Sequence, residues 1–282
     1  MKRVKYISMV AAAVAMTAVA SGSAFAMVDS DIKSTKHNLS TGAPAGNNQT
    51  DNGTTEICVF CHTPHGADIT QSVPLWNRTM SDPTTFSTYA DLGSATLDGS
   101  IGQVGSVSLA CLSCHDGQIA MDSLLNAPGS GNPSTADWTF SGATMSSDGL
   151  LTSGIALVGL DLRNDHPVGI LYAAGNVVGN ETDRLSFTDI DFNPVEVTNI
   201  NGANYWYVET SGAANGRDRA DMILYTRTDV LMAVGGGTID GAQPYVECAS
   251  CHDPHVVAVG DQVSFLRISN EGSALCLACH IK

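Results

Sequence analysis

The longest apolar stretch is the run of 14 residues from Ile7 to Ala20 in the 282-residue chain. Lys2, Arg3 and Lys5 precede it and Ala24-Phe25-Ala26 follows, the order of a positive region, an apolar segment and a small-residue cleavage site in an export leader. The run is short of the roughly 20 apolar residues that span a bilayer, so the pattern predicts a leader over residues 1–26. The mature chain would then begin at Met27, and no cysteine stands at the cut to carry a lipid. Further along, VEVTNI at 195–200 and NYWYVE at 204–209 flank Asn201-Gly202, the signature of a β-hairpin. MILYT at 222–226 predicts a further strand. The surrounding interval, 116–247, is rich in Gly, Ser, Thr, Asn and Asp, with turn signals such as APGSGNPS at 127–134. It reads as a β-rich insertion that clads whatever forms the core.

The cysteines say what that core is. Eight in an exported chain would ordinarily form four disulfides, but they fall as Cys58/Cys61, Cys111/Cys114, Cys248/Cys251 and Cys276/Cys279. Every pair is two apart and is followed at once by a histidine: His62, His115, His252 and His280. Zinc sites use CxxC pairs but do not call for a histidine behind each one. The CxxCH motif attaches haem: each thiol adds to one vinyl group and the adjacent imidazole sits under the iron. The expectation is four covalent c-type haems, with helices that are short and clustered at these motifs.

Four histidines remain, His37, His65, His166 and His255, one for each proximal imidazole. Iron in haem has two axial positions, so all eight imidazoles would saturate four irons. His65 cannot return to the iron held by His62, because three residues reach at most about 10 Å and Pro64 stiffens the path. It must serve another haem. CASCHDPH at 248–255 repeats the device of CVFCHTPH at 58–65, and each is followed by a second motif, CLSCH at 111–115 and CLACH at 276–280. HNLS at 37 and HPVG at 166 precede the two sets, so the order is that of a duplicated di-haem module. The expected divisions are 27–115 for the first module, 116–247 for the insertion, which contains His166, and 248–282 for the second. Within each module His65 is expected on the haem of Cys111/Cys114, and His255 on that of Cys276/Cys279.

Charge narrows the partners. Removing the leader takes away three positive residues and no acid, so the formal net charge moves from −15 to −18, and nucleic acid is excluded as a partner. Asp189 and Asp191, in FTDIDFNP at 187–194, lack the spacing of a calcium loop and read as a solvated turn. No nucleophile has a neighbouring base.

CxxCHxPH, CLSCH, CLACH and the PLWNR segment at 74–78 resemble the extracellular tetrahaem cytochromes of metal-reducing bacteria, the OmcE-type subunits that polymerise into nanowires. The resemblance covers the haem motifs at both ends of the chain and little of 116–247. It implies head-to-tail filaments of this chain, fed by periplasmic or outer-membrane cytochromes and discharging to extracellular acceptors. It also implies that a distal ligand can come from a neighbouring protomer, with His37 the candidate. With every iron doubly ligated, the protein would be an electron carrier and not an enzyme. A multihaem reductase of nitrogen or sulfur oxyanions, with one open iron, and a soluble monomeric periplasmic shuttle are the alternatives.

Overall fold

The alternating residues around Asn201-Gly202 do fold as a hairpin. Asn201 and Gly202 have φ of 53° and 86°, both left-handed, as a two-residue hairpin turn requires. Ile200 then pairs with Ala203, and Glu196 with Tyr207, in an antiparallel register.

In this computed structural model the described residues are 30–51, 53–70, 72–93, 100–129, 138–175, 188–210, 217–227, 231–232, 238–239, 243–256 and 265–281. The expected leader, residues 130–134 of the turn-rich stretch and Phe187 lie outside them. In chain order the regular elements begin with helix α1 (Ser30–Lys33), strand β1 (Gln49–Thr50), helix α2 (Ser106–His115) and strands β2 (Phe140–Ser141) and β3 (Ile170–Leu171). Strands β4 (Glu196–Ile200), β5 (Ala203–Val208), β6 (Met222–Arg227), β7 (Leu231–Met232), β8 (Thr238–Ile239) and β9 (Gln243–Val246) follow. Helices α3 (Cys248–Cys251) and α4 (Ala274–Cys279) close the chain. Short 3₁₀ turns, including one at Cys58–Phe60, fill several connections. No described helix is long and apolar enough to cross a membrane.

The main sheet is antiparallel, in the order β3-β9-β6-β5-β4. Side chains two apart on a strand share a face, so Trp206 and Val208 of β5 lie beside Leu224 and Met222 of β6, their register partners. These four join Tyr172, Val195 and Val246 in one buried cluster, against which Leu275, Ala278 and Cys279 pack. Strand β9 runs straight into α3, and β6 lies against that helix. The sheet is thus a platform for the last two CxxCH motifs.

Two smaller clusters serve the first two. Phe60, Met121, Phe140, Met145 and Leu151 enclose Cys61 and Cys114; Phe86, Val104, Leu162 and the α2 residues Leu109 and Leu112 form the other. Pairings cross the expected segment boundaries: β1 pairs with β2, through Gln49 to Ser141 and Thr50 to Phe140. The loops of 116–247 therefore pack into the region of the first module.

Candidate haem-binding centre

In a single helical turn, residues i and i+3 lie on one face and the amide of i+4 bonds back to the carbonyl of i. The CxxCH motifs adopt this turn. His62, His252 and His280 each donate their amide to the first cysteine of their motif, Cys58, Cys248 and Cys276, at 2.7, 3.1 and 2.9 Å. Cys111, Cys114 and His115 complete α2. Each pair of thiols is therefore turned to one side with the imidazole directly after it. All eight thiols are free of disulfides. Burial and the nearby Cys114 push the Cys61 thiol up to about 12; burial and Cys251 do the same to Cys279. These are neutral thiols, not the exposed thiolates of a redox site.

The proximal imidazoles are oriented by backbone. His62 Nδ1 is 3.0 Å from the Pro74 carbonyl and His115 Nδ1 is 2.6 Å from that of Ala156. A carbonyl can only accept, so Nδ1 carries the proton and Nε2 keeps its lone pair for a metal. Burial lowers the pKa of both rings, which keeps them neutral as ligation requires.

Two distal candidates face proximal rings. His255 lies 6.2 Å from His62, centroid to centroid, with the planes 15° apart. His37 lies 6.2 Å from His115 with the planes 88° apart. An iron bonded at about 2 Å to one nitrogen of each ring would hold the two centroids about 6.3 Å apart. The residues fit the group at both positions. His37 is half-buried, its buried Nδ1 has no hydrogen-bond partner, its ring stacks on Phe265 at 4.3 Å, and desolvation of the ring and then His115 lower its pKa to about 4. His255 Nδ1 lies 3.2 Å from the Asp253 carboxylate, which two arginines, Arg219 and Arg267, approach at 3.4 and 3.8 Å.

The ring partnerships differ from the expected ligand order at two points. His255 faces His62, and not His280, which packs against Phe192 at 4.5 Å. The ring beside His115 is that of His37, not His65. His65 and His166 are exposed, and no ring contact joins either to a proximal histidine among the described residues. The reason is common to all: ligand order along the chain does not restrict which segments tertiary packing brings face to face.

Thiols of neighbouring motifs influence one another. Cys111 is within hydrogen-bonding reach of Cys248, Cys61 feels Cys114, and Cys251 feels Cys276. At the junction of the second and third motifs, buried Glu247 accepts from Ser108 Oγ and from Arg227 Nη1, at 2.5 and 3.1 Å. Cys248 donates its amide to the same Ser108 hydroxyl at 2.9 Å. Burial raises the Glu247 pKa, and Ser108 and Arg227 oppose that rise.

Sequence reasoning missed the residues that brace the motifs. Asn77, in PLWNR, donates Nδ2 to the Val59 and Asn126 carbonyls at 2.7 and 2.9 Å. Arg78 donates to Ser113 Oγ and to the carbonyls of Ser113, Ala120 and Met121. Together they clamp the first motif to the end of α2. Arg267 donates Nε to the Ala249 carbonyl at 3.0 Å, the counterpart of the Asn77–Val59 bond. The available signal was spacing: Asn77 follows Cys61 by 16 positions, as Arg267 follows Cys251.

No curated protein matches the chain. Residues 243–282 match the family of the doubled CXXCH motif. CxxCH is the attachment motif of c-type haem, so in this segment the chain is similar to multihaem c-type cytochromes.

Proposed function

We propose that the protein is an exported tetrahaem electron carrier, with one haem on each CxxCH motif and the eight histidines as its axial set. The observation that carries this reading is the facing of imidazoles at the separation an iron between them would set, His62 to His255 and His37 to His115, each at 6.2 Å. Haem supplies a one-electron couple at its iron. The chain's own residues hold the attachment points in register, keep the imidazoles of His37, His62 and His115 neutral and aim the lone pairs of His62 and His115. Two imidazoles on each iron leave no position for a substrate and favour a lower potential than histidine with methionine would. That suits delivery of electrons outward.

The finer reading, resting on the sequence resemblance, is a head-to-tail filament at the cell surface. It would be charged by periplasmic or outer-membrane cytochromes and discharged to extracellular acceptors. Intact mass and ferric EPR of the purified protein test the first part: four haems, all low-spin, are expected, and a smaller count or a five-coordinate iron overturns it. Electron micrographs of the secreted, haem-stained fraction test the second. Filaments are expected; particles of single chains would make the protein a shuttle.

A further inference from the structure

A histidine that binds metal through Nε2 directs Nδ1 at an acceptor, and the nature of that acceptor sets how strongly the ring donates. For His62, His115 and His166 the acceptor is a neutral carbonyl, of Pro74, Ala156 and Pro167, at 3.0, 2.6 and 3.0 Å. His255 differs from all three, because its Nδ1 meets a charged group, Asp253 Oδ1, at 3.2 Å. The Asp253 carboxylate is built into the fold. It is buried, and its backbone is anchored by the amide donated to the Phe265 carbonyl at 2.8 Å. Oδ1 also accepts the His255 amide at 2.9 Å, an Asx turn across Pro254. Oδ2 faces Arg219 Nε and Arg267 Nη1 at 3.4 and 3.8 Å. Arg267 is itself pinned, donating Nε to the Ala249 carbonyl and Nη1 to the Arg219 carbonyl, both at 3.0 Å. One oxygen is thus given to the histidine and the other to the arginines. The first CHxPH segment has no such carboxylate: Thr63 stands in that place, and its hydroxyl donates to the His65 carbonyl at 2.9 Å.

We infer that Asp253 is a positioning residue that, through His255, lowers the potential of the haem held between His62 and His255. This inference rests on the haem reading above. A carboxylate can only accept, so Nδ1 carries the proton and Nε2 keeps its lone pair for the iron. A proton shared with a carboxylate gives the ring part of the negative charge of an imidazolate, and the stronger donor favours ferric over ferrous iron. Arg219 and Arg267 draw on the same carboxylate from its other side and limit the effect. Reduction adds one electron at the iron, and no bond has to form or break in this chain of contacts.

The test uses the full haem-loaded protein, with the midpoint of each haem read in a redox titration followed by proton NMR. The haem concerned is the one with cross-peaks to Trp76, whose ring lies 5.9 Å from that of His62. Asp253→Asn removes the charge and keeps an oxygen that can accept from Nδ1. All four haems should stay low-spin, the Trp76-linked midpoint should rise, and the ferric EPR g values of that haem should shift while the others hold. Arg219→Gln, which takes one guanidinium from the carboxylate, should move the same midpoint down. Asp218→Asn controls for charge at a distance: Asp218 lines one cavity with Asp253 and His255, but its carboxylate accepts from the Ala220 amide at 2.7 Å, and its loss should leave the EPR signal unchanged. Asp253→Thr, which installs the residue type the first segment carries, serves should the asparagine variant fail to fold, and should also raise the midpoint. An unchanged midpoint in Asp253→Asn, a shift confined to a haem without Trp76 cross-peaks, or an equal shift from Asp218→Asn would overturn the role of Asp253 and leave the haem reading intact. A parent with fewer than four haems would overturn that reading itself.

Discussion

Replacing Arg78 with lysine removes no charge, yet it should cost more than any other conservative change in the first half of the chain. The Arg78 side chain is wholly buried and spreads four bonds over four acceptors: Ser113 Oγ at 3.2 Å and the carbonyls of Met121, Ser113 and Ala120 at 2.7, 2.9 and 2.8 Å. A guanidinium meets them as a planar fork. Lysine carries its donors on one nitrogen and leaves at least two acceptors without a partner. Hydrogen bonds from a charged donor contribute about 1.5–3 kcal/mol each, so Arg78→Lys should lose at least about 3 kcal/mol. For a chain of this size that lowers Tm by roughly 6–12 °C. Thermal melts of haem-loaded protein, followed at the Soret band and in the far-ultraviolet, would measure it. Arg163→Lys, at the exposed pair with Asp161, is the control and should melt like the parent. An Arg78→Lys protein melting within about 2 °C of the parent would refute the clamp, since two acceptors cannot lose a charged donor for so little.

Asn77→Ala removes two bonds to carbonyls and the one Asn77 Oδ1 accepts from the Asn126 amide at 2.9 Å; a loss of about 3 kcal/mol is expected in a denaturant titration. Gly105→Ala needs no unusual backbone, with φ −80°, but its methyl would run into the pinned Glu247 carboxylate. A cost of about 1–3 kcal/mol, from overpacking, should appear in the same titration. Gly202→Ala meets nothing within 4 Å and should lose only about 1 kcal/mol, from its positive φ of 86°. Glu247→Ala strips Arg227 and Ser108 of their buried partner and should lower stability by about 3–5 kcal/mol, seen as a Tm drop at unchanged haem content.

Local chemistry was legible in the sequence. The CxxCH motifs need one helical turn and two thiols, all within five residues, and those turns form at Cys58, Cys248 and Cys276. The Asn201-Gly202 hairpin is equally local, and β4, β5 and β6 fall within a residue of the expected spans. Only tertiary structure decided what faces what. Ligation requires two rings about an iron, but sequence order carries no distance between segments 190 residues apart, so nothing in CVFCHTPH named His255 as the ring opposite His62. The burial of Asn77 and Arg78 was hidden for the same reason: their partners are backbone carbonyls, which every residue possesses and no residue type reveals. The sheet order β3-β9-β6-β5-β4 likewise arises from burying Trp206, Met222 and Tyr172 together, a gain available only once distant strands have met.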